Sequence, residues 1–392
     1  MSSYIVAGAR TPIGKMSGSL AGFSAADLGG IAIKAALERA GVQPDEVDHV
    51  FMGQVLMAGQ GQVPARQAAA KAGIPLTVPA ANINKVCLSG VNSIYLAHQL
   101  IAAGDADIVV AGGMESMTNA PYIAAGARAG FRYGNVELAD GIIKDGLFCA
   151  FGNVLMGEST DRDTGSSISR EAQDQFAVTS NVRAAAATEK GLFDDEMIPV
   201  AIPQRKGDPV IFKTDEGVRA NTTMESLGSL KPAFVKDGTI TAGNASQISD
   251  GGSAVIVMSR AAAEKRGVTP LGEIVSYGMV AGPDTSLLHQ PSNAIKKALA
   301  KINGKVSDID LFELNEAFAA VGIASMKDLG ITDEITNVNG GAIALGHPIG
   351  MSGNRITLAI LHELKRRGGG TGAAALCGGG GQGDAIIVRT VK

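Results

Sequence analysis

Apolar residues recur along this 392-residue chain with two periods, and the two periods alternate. Apolar positions three and four residues apart predict amphipathic helices at residues 25–40, 93–103, 170–189 and 292–302. Short continuous apolar runs, such as residues 108–111, are typical of strands that are covered on both faces of a sheet. Helices that alternate with such strands predict a layered α/β fold.

Two pairs of segments resemble each other and indicate an internal duplication. The first pair is PDEVDHVFMGQ at residues 44–54 and VSDIDLFELNE at residues 306–316, each following an alanine-rich helical pattern. Residues 84–117 and 339–388 then repeat the order turn, helix, buried strand and glycine-rich turn. We therefore predict an N-terminal half at residues 1–117 and 244–267, and a C-terminal half at residues 268–392.

Residues 118–243, between the predicted halves, differ from them in composition and in the pattern of apolar residues. Charged and irregular stretches dominate there, with one helical pattern at residues 170–189. This composition predicts a large inserted loop domain that lies over the duplicated core. Loops on a rigid scaffold commonly carry binding residues, although a solvated insert without function would have the same composition.

Composition narrows the class of protein. The 52 glycines suit tight packing, and a net charge of −4 gives no electrostatic support for nucleic-acid binding. No basic-then-apolar leader is found at the start, and we expect no membrane span. The three cysteines have neither zinc-site nor disulfide spacing, so we expect a reduced, cytoplasmic protein without a metal. Cys149, in an apolar stretch, is expected to be structural.

Three glycine-rich motifs carry candidate chemistry. His347 lies in NVNGGAIALGHPIG at residues 337–350, Cys377 opens CGGGGQGD at residues 377–384, and Cys87 lies in NKVCLSG at residues 84–90. Glycine permits close backbone approach, while His and Cys supply a base and a nucleophile. Cys87 precedes a predicted helix, whose dipole favours a thiolate. The alternative is that these motifs are structural, with tight turns, a buried Cys and a His whose hydrogen bonds are made within the fold. The presence of three such motifs favours a reactive site.

At these residues the chain resembles the thiolase family, and within it the acetyl-CoA acetyltransferase branch. The resemblance extends over nearly the whole chain and is carried by ARTPIG (9–14), NKVCLSG (84–90), GGMESM (112–117), GNAS (243–246), NEAF (315–318) and the motifs of His347 and Cys377. It implies a duplicated α-β-α-β-α core with an inserted loop domain.

The resemblance also implies a reaction, in which two acetyl-CoA molecules condense to acetoacetyl-CoA and coenzyme A, or the reverse thiolysis. Cys87 would carry the acyl group as a thioester, and His347 would deprotonate Cys87. Cys377 would exchange the proton at the acetyl C2. One oxyanion site would use His347 with a water held by Asn315, and the other the N–H groups of Cys87 and Gly379.

Other matched positions imply a coenzyme A site. Ser246 and Ala242 would lie along the pantetheine arm, and Arg219 and Ser226 near the adenosine end. The acyl end would be lined by apolar side chains at Leu147, Met156, Phe234, Ala317 and Phe318. No cofactor is implied, because coenzyme A thioesters are substrates and products. The resemblance further implies a homotetramer, with residues 131–145 as a contact between dimers through exposed Phe131, Ile142 and Ile143.

Some positions depart from the family pattern and leave acyl-chain preference open. Leu88 stands where a small residue is frequent, and Leu155 replaces a common histidine before Met156. ESTD at residues 158–161 and Gln247 also depart from the pattern. A degradative 3-ketoacyl-CoA thiolase of broader chain length is therefore the alternative function. A ketoacyl-carrier-protein synthase, which typically pairs its Cys with two histidines, and a non-catalytic acyl-CoA-binding relative fit the motifs less well.

Overall fold

The computed structural model describes residues 3–391. Its strands are β1 (Ser3–Arg10), β2 (Gly14–Lys15), β3 (His49–Gly53), β4 (Ala80–Ile83), β5 (Ile108–Ser116), β6 (Tyr122–Ile123), β7 (Ala139–Asp140), β8 (Phe148–Cys149), β9 (Val154–Leu155), β10 (Val200–Ile202), β11 (Val210–Phe212), β12 (Ser249–Ser259), β13 (Gly272–Ala281), β14 (Leu311–Leu314), β15 (Thr371–Gly378) and β16 (Gln382–Arg389). Its α-helices are α1 (Ala25–Ala40), α2 (Pro64–Lys71), α3 (Ser89–Ala103), α4 (Met156–Thr164), α5 (Arg170–Glu189), α6 (Met224–Gly228), α7 (Arg260–Arg266), α8 (Gln290–Ala300), α9 (Ala319–Leu329), α10 (Ala342–Leu345) and α11 (Ser352–Arg366).

Ten strands form one sheet in the order β14-β15-β16-β13-β1-β12-β5-β3-β4, with β2 paired to β12. β1 and β13 meet over only two residue pairs, Tyr4 with Glu273 and Ile5 with Gly272. This short junction separates the strands of the first half from those of the second. Helices α3 and α11 each contact strands of both halves, so the two halves share one layer of helices.

The helices form three layers around the two halves of the sheet. α1 packs on β1, β5 and β12, and α2 packs on α1, β3 and β4, so this pair covers the outer face of the first half. α3 and α11 pack on each other between the halves, α3 against β3 and β5 and α11 against β14 and β15. α8 packs on β13, β15 and β16 and contacts α9 on the remaining outer face. The order α-β-α-β-α confirms the predicted layered fold.

The repeated segments make matching hydrogen bonds in the two halves. Asp48 N donates to Ile108 O, and Asp310 N donates to Thr371 O, both at 2.9 Å. The Oδ2 atoms of the same aspartates accept from Ile108 N at 2.9 Å and from Thr371 N at 2.8 Å. Each aspartate therefore begins a parallel pairing, of β3 with β5 or of β14 with β15. The ends of β3 and β14 consequently occupy equivalent places in the two halves.

Residues 118–243 contribute no strand to the central sheet. Their strands form the small pairs β6–β7, β8–β9 and β10–β11, and their longest helix is α5. Because α5 packs on α9 and α10, this part of the chain lies beside the segment that leads to His347. The insert therefore borders the place where the motifs of the second half meet.

Apolar side chains are exposed between residues 122 and 151. They are Tyr122, Phe131, Tyr133, Val136, Leu138, Ile143 and Phe151. The expectation that Ile142 is also exposed is wrong, because Ile142 is 4% exposed and belongs to an apolar cluster with Leu56 and Met117. The exposed apolar surface is thus larger than the sequence indicated, but Ile142 is not part of it.

One apolar segment differs from expectation. The 18 residues Val86–Ala103 have a mean hydropathy of 1.3, which is enough by length and composition for a membrane span. These residues are 61% buried inside the fold, and their helix α3 lies between the two halves of the sheet against α11. Packing on several sides accounts for the apolar composition, because a helix buried all round needs no polar face.

Candidate active site

The loop that carries Cys87 is tightly constrained. It joins the end of β4 to the start of α3, and Val86 adopts φ 52°, a left-handed conformation that is uncommon for a β-branched residue. The Ser89 side chain holds it, since its Oγ accepts from Lys85 N at 2.8 Å and donates to Val86 O at 2.6 Å. Strain of this kind persists where the surroundings fix the backbone, often at functional sites. The turn places Cys87 two residues before the first residue of α3.

The Cys87 thiol is 5% exposed. Burial raises its pKa to about 12; its own backbone N–H lowers the pKa, and the nearby Glu115 carboxylate raises it. Burial thus outweighs the backbone N–H that favours the charged form, so the expectation of a Cys87 thiolate is wrong. Cys87 rests as a thiol, so it requires a base before it can act as a nucleophile.

Cys377 lies near the end of β15, and a turn of three glycines leads from there into β16. Gly380 and Gly381 adopt φ values of 79° and 71°, which glycine tolerates without strain. Burial raises the pKa of the Cys377 thiol, and a charge on Cys87 raises it further. The two sulfurs are therefore close enough to interact electrostatically.

The two cysteine loops are in contact. A Cβ added at Gly379 would lie 3.4 Å from Val86 Cγ1, and one added at Gly378 would lie 2.6 Å from Leu88 Cγ. A side chain at Gly378 would consequently displace the Cys87 loop. Leu88, whose size departs from the family pattern, is fully buried in this contact. The glycines allow the backbone of one half to approach the nucleophile of the other.

His347 is oriented by Ser352, at the start of α11. His347 Nδ1 lies 2.6 Å from Ser352 Oγ, which donates its own hydrogen to Pro348 O at 3.0 Å. We therefore assign the ring proton to Nδ1, which leaves Nε2 as the basic nitrogen. Burial and the charge of Arg355 lower the pKa of His347 to about 3. The ring is therefore neutral near pH 7 and can accept a proton at Nε2.

Asn315 follows β14 directly and faces His347. Its Nδ2 lies 3.4 Å from His347 Nε2, and its Oδ1 is buried without a hydrogen-bond partner among residues 3–391. Buried polar atoms are normally satisfied, and an unsatisfied one calls for an explanation. The amide of Asn315 and the imidazole of His347 are therefore side by side, and their role as an oxyanion site stays a prediction.

Glu115, in the GGMESM motif, is a further buried residue for which no role was predicted. Its buried carboxylate accepts from Val55 N at 2.9 Å, Leu56 N at 3.1 Å and Gly350 N at 3.0 Å. Burial raises its pKa to about 7, although the three N–H groups lower it. Glu115 thus ties the backbone after His347 to the loop after β3. Its place in the GGMESM motif was the one signal in the sequence.

Glu316 plays a similar part beside Asn315. Its carboxylate accepts from Ser180 Oγ at 2.6 Å, Asn337 Nδ2 at 2.9 Å and Ile343 N at 3.0 Å. Burial raises its pKa, and these hydrogen bonds lower it. Glu316 therefore connects the NEAF segment, the insert and the segment that leads to His347.

A cavity of about 280 Å³ opens beside His347. Its lining includes five predicted substrate residues, Leu147, Met156, Phe234, Ser246 and Phe318. Leu155 and Gln247, which depart from the family pattern, also line it. The other apolar or small lining residues were not predicted as part of the site; they are Met117, Ile143, Gly157, Ile248 and Ile349. The lining is mainly apolar, which suits an acyl group or a slender chain.

The two thiols lie behind the inner wall of this cavity. Cys87 shares an apolar cluster with Met117 and Ile349, and Cys377 shares one with Met156 and Ala317. Ala317 O accepts a hydrogen bond from Ser246 N at 3.0 Å. Ala317, predicted to line the acyl end, therefore lies next to Ser246, the predicted pantetheine contact. A group that enters past Phe234 and Phe318, whose rings meet edge to face at 6.1 Å, would approach His347 and both sulfurs.

Arg219, Ser226 and Ala242 lie apart from this cavity, on the surface. Arg219 N donates to Asn181 Oδ1 at 3.2 Å, and the Ser226 hydroxyl donates to Thr223 O at 2.8 Å in the cap of α6. Their placement leaves the predicted role at the outer end of coenzyme A as a prediction. Cys149 is buried, and its sulfur accepts from Gly152 N at 3.3 Å.

Two further observations limit the choice of site. A second cavity of about 280 Å³ lies between α5 and α9, but its lining contains none of Cys87, Asn315, His347 and Cys377. Within residues 3–391, no group of three or more His, Cys, Asp or Glu side chains could hold a metal ion. The cavity beside His347 is therefore the one that leads to the candidate catalytic groups.

Comparison with known proteins agrees with this geometry. The sequence profile of the thiolase N-terminal domain matches residues 3–261, and that of the thiolase C-terminal domain matches residues 268–390. A probable acetyl-CoA acetyltransferase of Mycolicibacterium smegmatis is 58% identical over 98% of this chain and 100% of its own length. The acetyl-CoA acetyltransferase of Cupriavidus necator is 54% identical over 98% of each chain.

A third relative, a probable acetyl-CoA acyltransferase of Staphylococcus epidermidis, is 47% identical over 99% of each chain. The profiles together span nearly the whole chain, and the relatives align from end to end. Both the motifs and the fold that unites them are therefore those of one family. The chain belongs to the thiolase family.

Proposed function

We propose that this chain is an acetyl-CoA C-acetyltransferase, which condenses two acetyl-CoA molecules to acetoacetyl-CoA and coenzyme A, or catalyses the reverse thiolysis. Full-length relatives at 50–58% identity carry that name. The observation that carries the proposal is the meeting of four groups at one apolar cavity: His347 lines its wall, Asn315 contacts His347, and Cys87 and Cys377 lie behind the lining residues. Two thiols and a neutral imidazole are the groups that acyl transfer followed by proton transfer at carbon requires.

In the first step, the Cys87 sulfur attacks the carbonyl carbon of an acyl-CoA. The pKa of Cys87 is about 12 and the pKa of His347 about 3, so both groups are neutral at physiological pH. His347 Nε2 takes the thiol proton as the carbon–sulfur bond forms, and Ser352 keeps Nδ1 in the donor tautomer. The proton then goes to the sulfur of the departing coenzyme A, and the acyl group remains on Cys87 as a thioester.

In the second step, a second acetyl-CoA binds at the vacated site. Burial raises the pKa of the Cys377 thiol, so it first passes its proton to His347 Nε2, and the resulting thiolate takes a proton from the acetyl C2. Protonated His347, with Asn315, then faces the position of the enolate oxygen. The carbanion attacks the thioester carbonyl, the new carbon–carbon bond forms as the bond to the Cys87 sulfur breaks, and His347 returns its proton to that sulfur. The N–H groups of Cys87 and Gly379 would stabilise charge on the thioester oxygen. Thiolysis follows the same steps in reverse.

The insert and the GNAS segment would hold the remainder of the substrate. Ser246, on the wall of the cavity, is the candidate contact of the pantetheine arm, with Ala242 farther out. Arg219 and Ser226, both exposed, are the candidate contacts of the adenosine end. No separate cofactor is needed in this scheme, because coenzyme A enters and leaves as part of substrate and product.

A degradative thiolase with a broader chain-length range is the second candidate, and Leu155 is the observation that favours it. This side chain lines the cavity next to Met156, where a histidine is common in the short-chain members of the family. The Staphylococcus epidermidis relative carries the broader name acyltransferase. An apolar wall at this position would accept a longer or branched acyl group.

Acyl-chain preference distinguishes these two candidates. We expect kcat/KM for thiolysis of acetoacetyl-CoA to exceed that for 3-ketooctanoyl-CoA by roughly 10–200-fold or more, the range expected for a single methylene in an apolar pocket. Met156 and Phe318 line the cavity of about 280 Å³, and we expect them to leave a short apolar pocket for the acyl group. Steady-state thiolysis of both substrates and of 2-methylacetoacetyl-CoA provides the measurement. Equal or better turnover of the eight-carbon substrate would favour the degradative function, and a Leu155→His variant is the matched control for the wall.

We propose a cytoplasmic homotetramer assembled from dimers, with a role in lipid metabolism. The exposed apolar side chains between residues 122 and 151 support assembly, because a surface of this kind normally meets a partner. Light scattering of the purified chain at micromolar concentration should give four times the 39.9 kDa mass of one chain. Replacing both Phe131 and Tyr133 by serine should reduce that mass without loss of folded structure. A stable monomer in the unmodified protein would contradict this proposal.

A further inference from the structure

An ion pair joins the two cysteine loops. Lys85 Nζ lies 2.7 Å from Asp384 Oδ1 and 2.9 Å from Asp384 Oδ2, although the two residues are 299 positions apart in the chain. Lys85 precedes Cys87 by two residues, and Asp384 lies on β16, opposite Leu376 of β15. Within residues 3–391, this is the ion pair that connects the loop of Cys87 to the hairpin of Cys377.

Both partners are held by further contacts. Asp384 is fully buried, and its Oδ2 also accepts from Tyr95 OH at 3.1 Å, while the Lys85 side chain is 20% exposed. Burial raises the pKa of Asp384, and Lys85 lowers it. The backbone N–H of Lys85 donates to Ser89 Oγ, so this residue is fixed at both ends. A buried carboxylate with two donors gives the pair a defined geometry.

The position of the pair bears on the proposed oxyanion site. That site takes one N–H group from Cys87 in the first half and the other from Gly379 in the second. Apolar contacts of Val86 and Leu88 with Gly378 and Gly379 bring the loops together but have no preferred direction. An oxyanion site requires donors about 2.7–3.1 Å from the developing charge, so small shifts between the loops matter.

We propose that Lys85 and Asp384 are positioning residues that set the separation of the Cys87 and Gly379 N–H groups, and thereby the rate at which Cys87 is acylated. The inference rests on the proposed acyl transfer. Neither side chain takes part in the chemistry. Their ion pair fixes the hairpin of one half against the nucleophile loop of the other, and Tyr95 extends the connection to α3.

The test compares two reactions of the same sulfur. Acylation by labelled acetyl-CoA requires the oxyanion site, whereas alkylation by iodoacetamide requires only an accessible, reactive thiol. In Lys85→Met and Asp384→Asn we expect acylation in single-turnover experiments to slow by about 10²-fold, the scale of one lost oxyanion donor. Alkylation of Cys87 should change less than about threefold and keep its pH dependence. Lys85→Arg, which restores an ion pair, should recover most of the acylation rate.

Controls separate positioning from a general loss of structure. Glu273→Gln removes a carboxylate that pairs with Arg389 at the far end of β16, at 3.0 Å, and should acylate at the unmodified rate. If Asp384→Asn does not fold, the double variant Lys85→Met/Asp384→Asn, which has no unpaired buried charge, gives the measurement instead. Thermal unfolding of each variant reports whether the fold is retained.

The outcomes are distinct. Acylation at the unmodified rate in the pair variants would overturn the inference, as would a parallel loss of acylation and alkylation. A shifted pH dependence of alkylation would show that Lys85 acts through its charge on the thiol, which also contradicts positioning. If the unmodified protein is not acylated at all, the proposed function fails rather than the role of the pair.

Discussion

Replacing Cys87 by alanine is expected to lower the turnover of acetoacetyl-CoA by about 10⁶-fold, the scale on which a hydrolase responds to loss of its nucleophile. Without the Cys87 sulfur no acyl-enzyme can form, so the reaction can no longer proceed through two easier steps. The measurement pairs steady-state thiolysis with peptide mapping after incubation with labelled acetyl-CoA. The unmodified protein should carry the acetyl group on Cys87, and the variant should carry none.

Cys149→Ala is the matched control for this substitution. Cys149 is as buried as Cys87, at 5% exposure, but its sulfur only accepts a hydrogen bond from Gly152 N. Its replacement should leave labelling and turnover within a few fold of the unmodified protein. Acetyl found on Cys149 or Cys377 in the unmodified chain would remove Cys87 from its proposed role.

Replacing Cys377 by alanine should separate the two steps of the reaction. Acylation of Cys87 should continue, whereas condensation should fall by about 10²–10⁴-fold, the usual contribution of a general acid or base. Cys377 would be the group that removes the proton from the acetyl C2. The loss should therefore appear in the exchange of methyl hydrogens of acetyl-CoA with deuterated water, followed by mass spectrometry.

Two measurements on the Cys377→Ala variant are needed together. Acyl-enzyme must still accumulate, because otherwise the substitution has damaged the site shared with Cys87. A Cys377→Ser variant tests the proton transfer itself, since it keeps the size of the side chain but raises its pKa. Undiminished hydrogen exchange in the alanine variant would exclude Cys377 as the acid or base at carbon.

Local signals explain which elements could be predicted from the sequence. The helices at residues 25–40 and 170–189 have the predicted bounds, because each begins after a serine whose side chain caps it, Ser24 or Ser169. Gly41 ends the first of them in a left-handed conformation. Motifs that combine Gly, Cys and His identified the family, and the layered order of the fold followed from it.

Other features depend on contacts between distant parts of the chain. α3 begins at Ser89, four residues before the predicted start, and Ser89 is fixed by its contacts with the Cys87 loop. The protonation of Cys87 depends on burial, which a local helix-dipole argument does not include. The carboxylates of Glu115 and Asp384 bind segments far away in sequence, so their partners could not be read from spacing.

The register of the sheet shows which residue of each half corresponds to each cysteine of the site. β3 pairs in parallel with β5 from His49 and Val109, as β14 pairs with β15 from Leu311 and Gly372, so these two pairs of strands are equivalent in the two halves. Asp48 binds Ile108 as Asp310 binds Thr371, so Ile108 and Thr371 are equivalent. Six residues farther along each strand, Met114 of the first half is therefore the counterpart of Cys377. The starts of α3 and α11 make Gly350 the counterpart of Cys87.

Each copy therefore lacks the thiol that the other retains. A single half could not support both acyl transfer and carbon–carbon bond formation, whatever its stability in isolation. In the proposed reaction, one half supplies the sulfur that accepts the acyl group, and the other supplies the acid or base that acts at carbon. One chain accordingly contains one complete reaction centre, shared between two structural copies.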